Sequence, residues 1–206
     1  MSEYIDPNID LSSFKSPTLN FTEMSINYVF QHGIGGLVYE TDPILHKEPT
    51  IWIFDPPQAD AKRMHRIMIE NMVYHQGLGL SANQIGMPVK VFAMRVDDSD
   101  QAIVCFNPVI IKESDETVMM KEGCLSFPSL YLNIKRPAQI EGQYQNADGD
   151  FIDVHFEGLA ARIFHHEMDH MKGENFTDKV NKVFLQSARR KQKKLLRKGR
   201  KNGRAS

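Results

Sequence analysis

The sequence has few cysteines and no long apolar segment. Its 206 residues include only Cys105 and Cys124, which excludes a disulfide framework and a zinc site of four cysteines. No apolar run approaches the roughly eighteen residues that a membrane-spanning helix needs. The first ten residues, MSEYIDPNID, lack the basic and apolar regions of a secretory signal and the arginines of a transit peptide. We therefore expect a cytoplasmic protein with no membrane partner.

Acidic residues are absent from the C-terminal part. All 26 acidic residues and 13 of the 25 basic ones lie in residues 1–178, which leaves a formal charge of −13 there and +12 in residues 179–206. Such a basic segment is typical of a solvated helix or of a surface that binds polyanions. The apolar positions within it recur at roughly helical spacing and predict one buried stripe, formed by Val180, Phe184, Ala188 and Leu195.

The rest of the chain predicts a mixture of helices and strands without regular alternation. Residues 1–36 are polar and weakly periodic, and we expect them to form an arm or cap. Apolar spacing predicts helices over Ala59–His75 and Leu159–Met171, the second ended by Gly173. Strands are expected in KVFAMRV, AIVCF and TVMM, and a hairpin in AQIEGQYQ and FIDVHFEG around the turn NADGD. This order of elements indicates the α+β class.

The segment HEMDH contains a metal-binding pattern. On a helix, His166 and His170 lie one turn apart with Glu167 beside them, an arrangement that holds a catalytic metal next to a general base. Sites of this kind usually have three protein ligands and one open position. A downstream third ligand is excluded, because no carboxylate follows Asp178 and Phe176 stands where the longer H-E-x-x-H-x-x-G-x-x-H pattern has histidine.

The third ligand must therefore lie upstream, and Cys124 in EGCLS is the strongest candidate. A thiolate binds first-row metals well, and the adjacent Gly123 permits close approach of the backbone. Two alternatives remain: Cys124 is simply a thiol buried in a turn, or the ligand is a histidine. The upstream histidines are His32, His46, His65, His75 and His155.

Three segments together resemble the motifs of the peptide deformylase family. They are GLGLSANQIG at Gly77–Gly86, EGCLS at Glu122–Ser126 and HEMDH at His166–His170, in the order found in that family. The first also fits the dinucleotide-binding pattern G-x-G-x-x-A. That alternative fails because a predicted helix, rather than a strand, precedes the glycines, and because Gly86 and Pro88 leave no room for the helix that should follow.

The resemblance implies antiparallel strands packed around a central H-E-x-x-H helix. It also implies a hydrolase that removes the N-formyl group from the initiator N-formylmethionine of nascent polypeptides and releases formate. Residues 37–178 would form the catalytic domain, and residues 179–206 would contact the ribosome without recognising a specific nucleic-acid sequence. The ligand types alone favour zinc, whereas the resemblance implies native Fe²⁺ with Zn²⁺, Ni²⁺ or Co²⁺ as substitutes.

The resemblance also implies roles for individual residues. It implies metal ligands at Cys124, His166 and His170, a general base at Glu167, oxyanion donors at Gln84 and the Leu125 backbone N–H, and a substrate cleft at Gly77, Leu78, Gly79, Met120 and Ile163. The cleft residues Leu78, Met120 and Ile163 would contact the methionine side chain. We further predict that Arg136 pairs with Glu122 or Asp169 and steadies the segments that carry the ligands.

Some residues depart from the family pattern. Ser81 stands where alanine is usual, His165 stands where glutamine is usual, and SFPSLYLNIKRP at residues 126–137 is one form of a variable loop. These differences bear on substrate preference. Two rival functions are a zinc peptidase or amidase of another family, and a ribosome-binding or nucleic-acid-binding protein with a structural metal. The second rival gives no role to Glu167.

Overall fold

The computed structural model describes residues 26, 28–31, 33–96 and 101–201, with side chains as far as Lys198 in the last helix. Its strands are β1 (Gly79–Ser81), β2 (Val91–Arg95), β3 (Ala102–Glu113), β4 (Thr117–Gly123), β5 (Tyr131–Pro137), β6 (Gln139–Gln145) and β7 (Phe151–Glu157). Its α-helices are α1 (Ala61–Tyr74), α2 (Gly158–His170) and α3 (Lys182–Lys201), and its 3-10 helices are Pro43–His46, Ala82–Ile85 and Phe176–Lys179.

The strands form two antiparallel sheets. The larger sheet has the order β1-β2-β3-β6-β7, and β4 pairs with β5 in a separate sheet of two strands. In the larger sheet Val91 of β2 lies opposite Phe106 of β3, and Gln139 of β6 lies opposite Glu157 of β7. Because the helices are segregated from the antiparallel strands, the structure confirms the α+β class.

Helices cover both faces of the larger sheet. Alternate residues of β2 point to opposite faces: Val91 and Ala93 belong to the core that contains α1, and Phe92 and Met94 to the core that contains α2. On its other side α2 meets the β4–β5 sheet, where Arg162 donates to the carbonyl of Ile134 (2.9 Å). Helix α2, which carries the H-E-x-x-H pattern, therefore lies between the two sheets, as predicted.

The predicted helices and the hairpin agree with the structure to within two residues. The side chain of Asp60 caps α1 by accepting a hydrogen bond from the backbone N–H of Arg63 (3.1 Å). After α2 the chain turns at Gly173, whose φ of +69° favours glycine. A Cβ at Gly173 would also lie 2.5 Å from the carbonyl carbon of Lys47.

The predicted loop at residues 126–137 is wrong in its second half. Residues Tyr131–Pro137 form β5, with Leu132, Ile134 and Arg136 buried and the intervening residues exposed. Inward apolar residues at every second position are enough to build a strand on one buried face. The loop therefore ends near Leu130, and Arg136 reaches the interior from a strand.

The N-terminal segment contributes to the core where the structure describes it. Ile26, Val29 and Phe30 are buried with α1, whereas most of the predicted arm lies outside the described residues. The Asn71 side chain fixes the following turn by accepting a hydrogen bond from the Gly35 N–H (2.7 Å). Among the described residues, no helix is long and apolar enough to cross a membrane.

The C-terminal helix packs differently from the prediction. Val180 and Ala188 contact a third apolar cluster, as expected, but Phe184 is 67% exposed and Leu195 is 50% exposed. Leu185 takes the inward position instead. The predicted stripe is therefore wrong at two of its four positions, because the inward face of α3 also carries polar residues that a search for apolar spacing does not find.

Candidate active site

Helix α2 brings two imidazoles and one thiol together. The ring centroids of His166 and His170 are 5.4 Å apart, as expected for residues one turn apart on a helix. Cys124 follows β4, and its Sγ lies 3.4 Å from His170 Nε2. One donor atom from each of the three residues lies within 4.8 Å of the other two. This geometry agrees with the predicted ligand set.

Two of the alternative histidine ligands, His46 and His75, are hydrogen-bonded to backbone carbonyls, and His65 is half-buried on α1. His46 Nε2 is hydrogen-bonded to the carbonyl of Glu40 (2.7 Å), and His75 Nε2 to the carbonyl of Gly35 (2.9 Å). His155 is exposed on β7, and His32 lies outside the described residues. Within the part of the chain that the structure describes, Cys124 is the residue that completes a cluster with His166 and His170.

Glu122 fixes the orientation of His166. Its Oε2 lies 3.0 Å from His166 Nδ1, which directs His166 Nε2 toward Cys124 and His170. Glu122 Oε1 also accepts hydrogen bonds from Arg136 Nε (2.7 Å) and Arg162 Nη1 (2.9 Å). Burial alone would raise the pKa of Glu122, but Arg136 and His166 hold that pKa well below its usual range. The carboxylate therefore stays ionised and links the β4–β5 sheet to α2.

Arg136 contacts both of its predicted partners. In addition to Glu122, its Nη2 lies 2.8 Å from Asp169 Oδ2, and Lys179 Nζ lies 3.1 Å from Asp169 Oδ1. Arg162 completes this network and was not identified from the sequence. One signal was available: Arg162 precedes His166 by four residues, so a basic side chain lies on the face of α2 that carries the first histidine.

Glu167 has an environment unlike that of a surface carboxylate. It is 2% exposed, and its buried Oε2 has no hydrogen-bond partner among the described residues. Burial raises the pKa of Glu167 to about 7. Gly79 lies against it, since a Cβ at that position would collide with Glu167 Oε1 and lie 2.9 Å from Ile163 Cγ2. A side chain at Gly79 would therefore displace the Glu167 carboxylate.

The neighbouring histidines differ in their electrostatics. Burial lowers the pKa of His170, and the proximity of His166 lowers it further. Burial also opposes the charged form of His166, but hydrogen bonds to Cys124 and Glu122 raise its pKa well above the ordinary value. His165, the departure from the family pattern, is buried with Nδ1 3.6 Å from Glu113 Oε1. Burial, assisted by Arg136, lowers the pKa of His165 to about 4, so this side chain is neutral near pH 7.

Gln84 points its amide nitrogen at Cys124. Its Nε2 lies 3.3 Å from Cys124 Sγ and donates to Ser126 Oγ at 3.1 Å, while its Oε1 accepts from the Ser81 backbone N–H at 2.9 Å. The side chain is 1% exposed, so these contacts fix the direction of its N–H groups. Ser126 was not predicted as a site residue. Its position two residues after Cys124 on a tight turn was the available signal.

A cleft of about 580 Å³ opens in front of this cluster. Four of the five predicted substrate residues line it, namely Gly77, Leu78, Gly79 and Ile163. Met120 does not line the cleft, although its place on β4 is only two residues before Glu122. Arg162, Phe127 and Tyr131 are lining residues that the sequence did not suggest.

The donor atoms at the cluster suit a divalent first-row metal. One thiol and two imidazoles are the sulfur and nitrogen donors that such ions prefer, and three protein ligands leave a position for substrate or water. Glu167, whose Oε2 is buried without a hydrogen-bond partner among the described residues, lines the same cleft as Cys124 and His166. Residues of this chain therefore fit a catalytic metal rather than a closed structural site, which needs four protein ligands.

Comparisons with known proteins agree with this geometry. The family profile described as polypeptide deformylase matches residues 36–185. A peptide deformylase of Thermotoga neapolitana is 38% identical over 140 residues, which covers 68% of this chain and 82% of that protein. The crystal structure of the Thermotoga maritima peptide deformylase superposes with a TM-score of 0.66 at 34% identity, covering 72% of this chain and 98% of that chain. For the Legionella pneumophila enzyme the TM-score is 0.71 at 29% identity, with 84% and 99% covered. The chain belongs to the polypeptide deformylase family, the hydrolases that remove the N-formyl group from nascent polypeptides.

Proposed function

We propose that Cys124, His166 and His170 hold the divalent metal of this deformylase and that Glu167 is its general base. The observation that carries the proposal is the buried, unpartnered Oε2 of Glu167 beside a cluster of three ligand atoms. A divalent cation held there supplies a Lewis acid that polarises a carbonyl group and makes water more acidic. We further propose Fe²⁺ as the native ion, with Zn²⁺, Ni²⁺ or Co²⁺ as substitutes.

Glu167 moves the proton in this mechanism. With a pKa raised to about 7 by burial, its carboxylate accepts a proton from the attacking water and returns it to the leaving amine near neutral pH. Gly79 keeps the opposite side of Glu167 free of side-chain atoms, so the substrate amide approaches the carboxylate along the backbone of β1. Glu122 contributes indirectly by holding the His166 ring in place.

Two donors stabilise the negative charge that develops on the formyl oxygen. The first is the Gln84 side chain, whose Oε1 is anchored by Ser81 so that Nε2 faces Cys124. The second is the backbone N–H of Leu125, directly after Cys124. Donors fixed before the reaction begins stabilise an oxyanion without reorganisation, which is why their rigidity matters more than their number.

The substrate cleft selects an apolar first side chain. Leu78 and Ile163 form apolar walls, and Gly77 allows close approach, because a Cβ there would lie 2.8 Å from the Gly79 carbonyl oxygen. A methionine side chain fits such a surface because it is apolar and unbranched. Met120, on β4, does not line the cleft and is not part of the proposed pocket.

We also propose how the parts of the chain divide the work. Residues 37–178 would form the catalytic domain, residues 1–36 an N-terminal arm or cap, and residues 179–206 a basic C-terminal segment, including α3, that contacts ribosomal RNA. The outward face of α3 supports the last point, since its described basic side chains at Lys182, Arg190, Lys191, Lys193, Lys194, Arg197 and Lys198 are exposed. Both cysteines are free thiols, as expected in a reducing cytoplasm.

The test is an anaerobic preparation assayed for formate release from formyl-Met-Ala-Ser, with metal content measured on the same sample. We expect about one divalent metal per chain and turnover that disappears with a chelator and returns with Fe²⁺. Cleavage of unformylated or acetylated peptides without formate release would favour the peptidase or amidase alternative. Bound metal without hydrolysis of any peptide would favour a structural metal and refute the mechanism.

A further inference from the structure

The C-terminal helix α3 contacts the back of the substrate cleft through polar residues. We call residues Cys124–Leu130 the cleft loop. Gln192 is 7% exposed, and it is the one buried residue among the described side chains of α3. Its Nε2 donates to the carbonyl oxygen of Pro128 at 2.9 Å. A buried amide in a helix dominated by lysine and arginine indicates a specific contact, because unpaired burial would be costly.

Arg189 extends this contact. One guanidinium nitrogen, Nη1, donates to Gln192 Oε1 (3.0 Å), and Nη2 donates to the carboxylate of Glu40. The guanidinium carbon lies 5.9 Å from the centre of the Phe127 ring, in the range of a cation–π contact. Arg189 therefore holds Gln192 toward Pro128 and at the same time covers the neighbouring Phe127.

The cleft loop needs support from outside. Ser129 has a φ of +60°, a left-handed conformation that a residue with a side chain adopts at a cost and keeps only when its surroundings enforce it. Glu40 contributes from its backbone, because its N–H donates to the carbonyl of Ser126 (3.1 Å). Phe127, Pro128 and Ser129 also line the substrate cleft. Phe127 and Pro128 thus contact α3 on one side and line the cleft on the other.

We propose that Arg189 and Gln192 are positioning residues that hold the cleft loop in the shape the substrate needs. The inference rests on the proposed function, since it assigns α3 a role in the site of that reaction. Cys124 is fixed separately by Gln84 and by α2, at the other end of the loop. Loss of the α3 contacts should therefore weaken substrate binding while leaving metal binding and the chemical step nearly unchanged.

The experiment compares Arg189→Ala and Gln192→Met with Arg190→Ala, a control on the exposed face of the same helix. For the two test variants we expect KM for formyl-Met-Ala-Ser to rise roughly three- to tenfold. Their kcat should stay within about twofold, and metal content should be unchanged. The control should match the wild-type chain. Arg189→Lys keeps the positive charge near Glu40 but loses the planar guanidinium over Phe127. Its KM should therefore lie between those of the wild-type chain and Arg189→Ala.

A binding measurement separates positioning from general stability. Calorimetric titration with the product Met-Ala-Ser, below the unfolding temperature of every variant, should show the same loss of affinity as KM. A lowered unfolding temperature with unchanged KM and product affinity would overturn the proposal, because α3 would then serve stability alone. Unchanged values throughout would overturn it as well. Failure of the wild-type chain to release formate would instead overturn the proposed function, and this inference with it.

Discussion

Helices α2 and α3 place polar residues against the interior in opposite ways. Helix α2 buries an ionic network in which Arg162 and Asp169 pair with groups on β4, β5 and the following segment. Helix α3 exposes most of its charges and buries one amide, Gln192. Burying an unpaired charge costs several kcal/mol, roughly, so the interior retains ionised groups only in satisfied networks or where a reaction uses them. In the proposed roles, α2 therefore carries the chemistry, whereas α3 acts on the cleft loop through one buried amide and the guanidinium of Arg189.

Burial also affects Glu122 on β4 and Glu167 on α2 in opposite ways. Glu122 and its two arginines satisfy each other with hydrogen bonds of 2.7 to 2.9 Å. Glu167 lies one residue from His166 but has a buried oxygen with no partner among the described residues. Two carboxylates within one site therefore have opposite pKa shifts: the pKa of Glu122 is lowered, so this group stays ionised, whereas the pKa of Glu167 is raised. That contrast supports the proposed roles, in which Glu122 orients His166 and Glu167 transfers the proton.

The largest expected effect is on metal binding, and it tests the chemical role proposed for α2. Cys124→Ala removes the thiol that lies 3.4 Å from His170 Nε2, so we expect loss of tight metal binding and of activity. His166→Ala and His170→Ala should do the same. Metal content by elemental mass spectrometry is the measurement. Cys105→Ala is the matched control, because Cys105 is buried in the core and should leave metal content intact. Stoichiometric metal in purified Cys124→Ala would refute the ligand assignment.

Substitution of Glu167 should separate proton transfer from metal binding. Glu167→Gln preserves the shape of the side chain but cannot accept a proton, so we expect kcat to fall about 10²- to 10⁴-fold. Metal content should remain at the wild-type level. The control is Glu141→Gln, a half-exposed carboxylate on β6 that should change neither quantity. Single-turnover formate release at near wild-type rate would show that another group takes the proton.

Gln84 should show a smaller effect concentrated in kcat. Gln84→Ala removes one donor to the oxyanion, which in comparable sites costs about 10²-fold in kcat. KM should change less, because the contact strengthens only as negative charge develops. Gln139→Ala on the exposed face of β6 is the control. An increase in KM at constant kcat would mean that Gln84 binds the ground state and would remove it from the mechanism.

Sequence-based prediction succeeded where the signal lies in neighbouring residues. The residues of H-E-x-x-H could be assigned because two imidazoles one helical turn apart with a carboxylate between them have few structural explanations. Elimination of downstream ligands indicated only that the third ligand lies upstream, and the family resemblance then implied Cys124. The hairpin β6–β7 and helices α1 and α2 followed from apolar periodicity and turn residues, which are local properties.

What the sequence did not predict depends on contacts between distant residues. Arg162 is the one charged residue in the first half of α2, GLAARIF, and its partners on β4 and β5 are known only once the sheets pack against α2. Strand β5 was mistaken for part of a loop because residues 126–137 were compared with the family pattern as one variable segment, without regard to the alternation of Leu132, Ile134 and Arg136. The inward face of α3 was misassigned because Gln192 is polar and its acceptor, the Pro128 carbonyl, lies 64 residues earlier.

Substitutions on the exposed face of α3 should have the smallest effect on peptide hydrolysis. They test whether the outward face of α3 has a role separate from that of its inward face. Truncation from residue 186 would also remove Arg189 and Gln192, so it cannot test ribosome contact alone. Four charge reversals on the exposed face avoid that difficulty: Lys193→Glu, Lys194→Glu, Arg197→Glu and Lys198→Glu. We expect hydrolysis of formyl-Met-Ala-Ser to stay within about twofold, because surface substitutions away from a site change stability by roughly 0.5 kcal/mol or less.

Co-sedimentation with ribosomes should respond strongly to the same four changes. Binding to RNA phosphates releases counterions, so the affinity of the wild-type chain should fall steeply with added salt, with a slope of roughly 0.7 to 0.9 per phosphate contact in a log–log plot. Reversal of four charges should lower that slope by about three and abolish co-sedimentation at moderate salt. The matched control reverses Lys112, an exposed lysine on β3 paired with Glu141, and should sediment like the wild-type chain. Equal sedimentation of the quadruple variant and the wild-type chain would show that the outward face of α3 has no docking role, while its inward face could still support the cleft loop through Arg189 and Gln192.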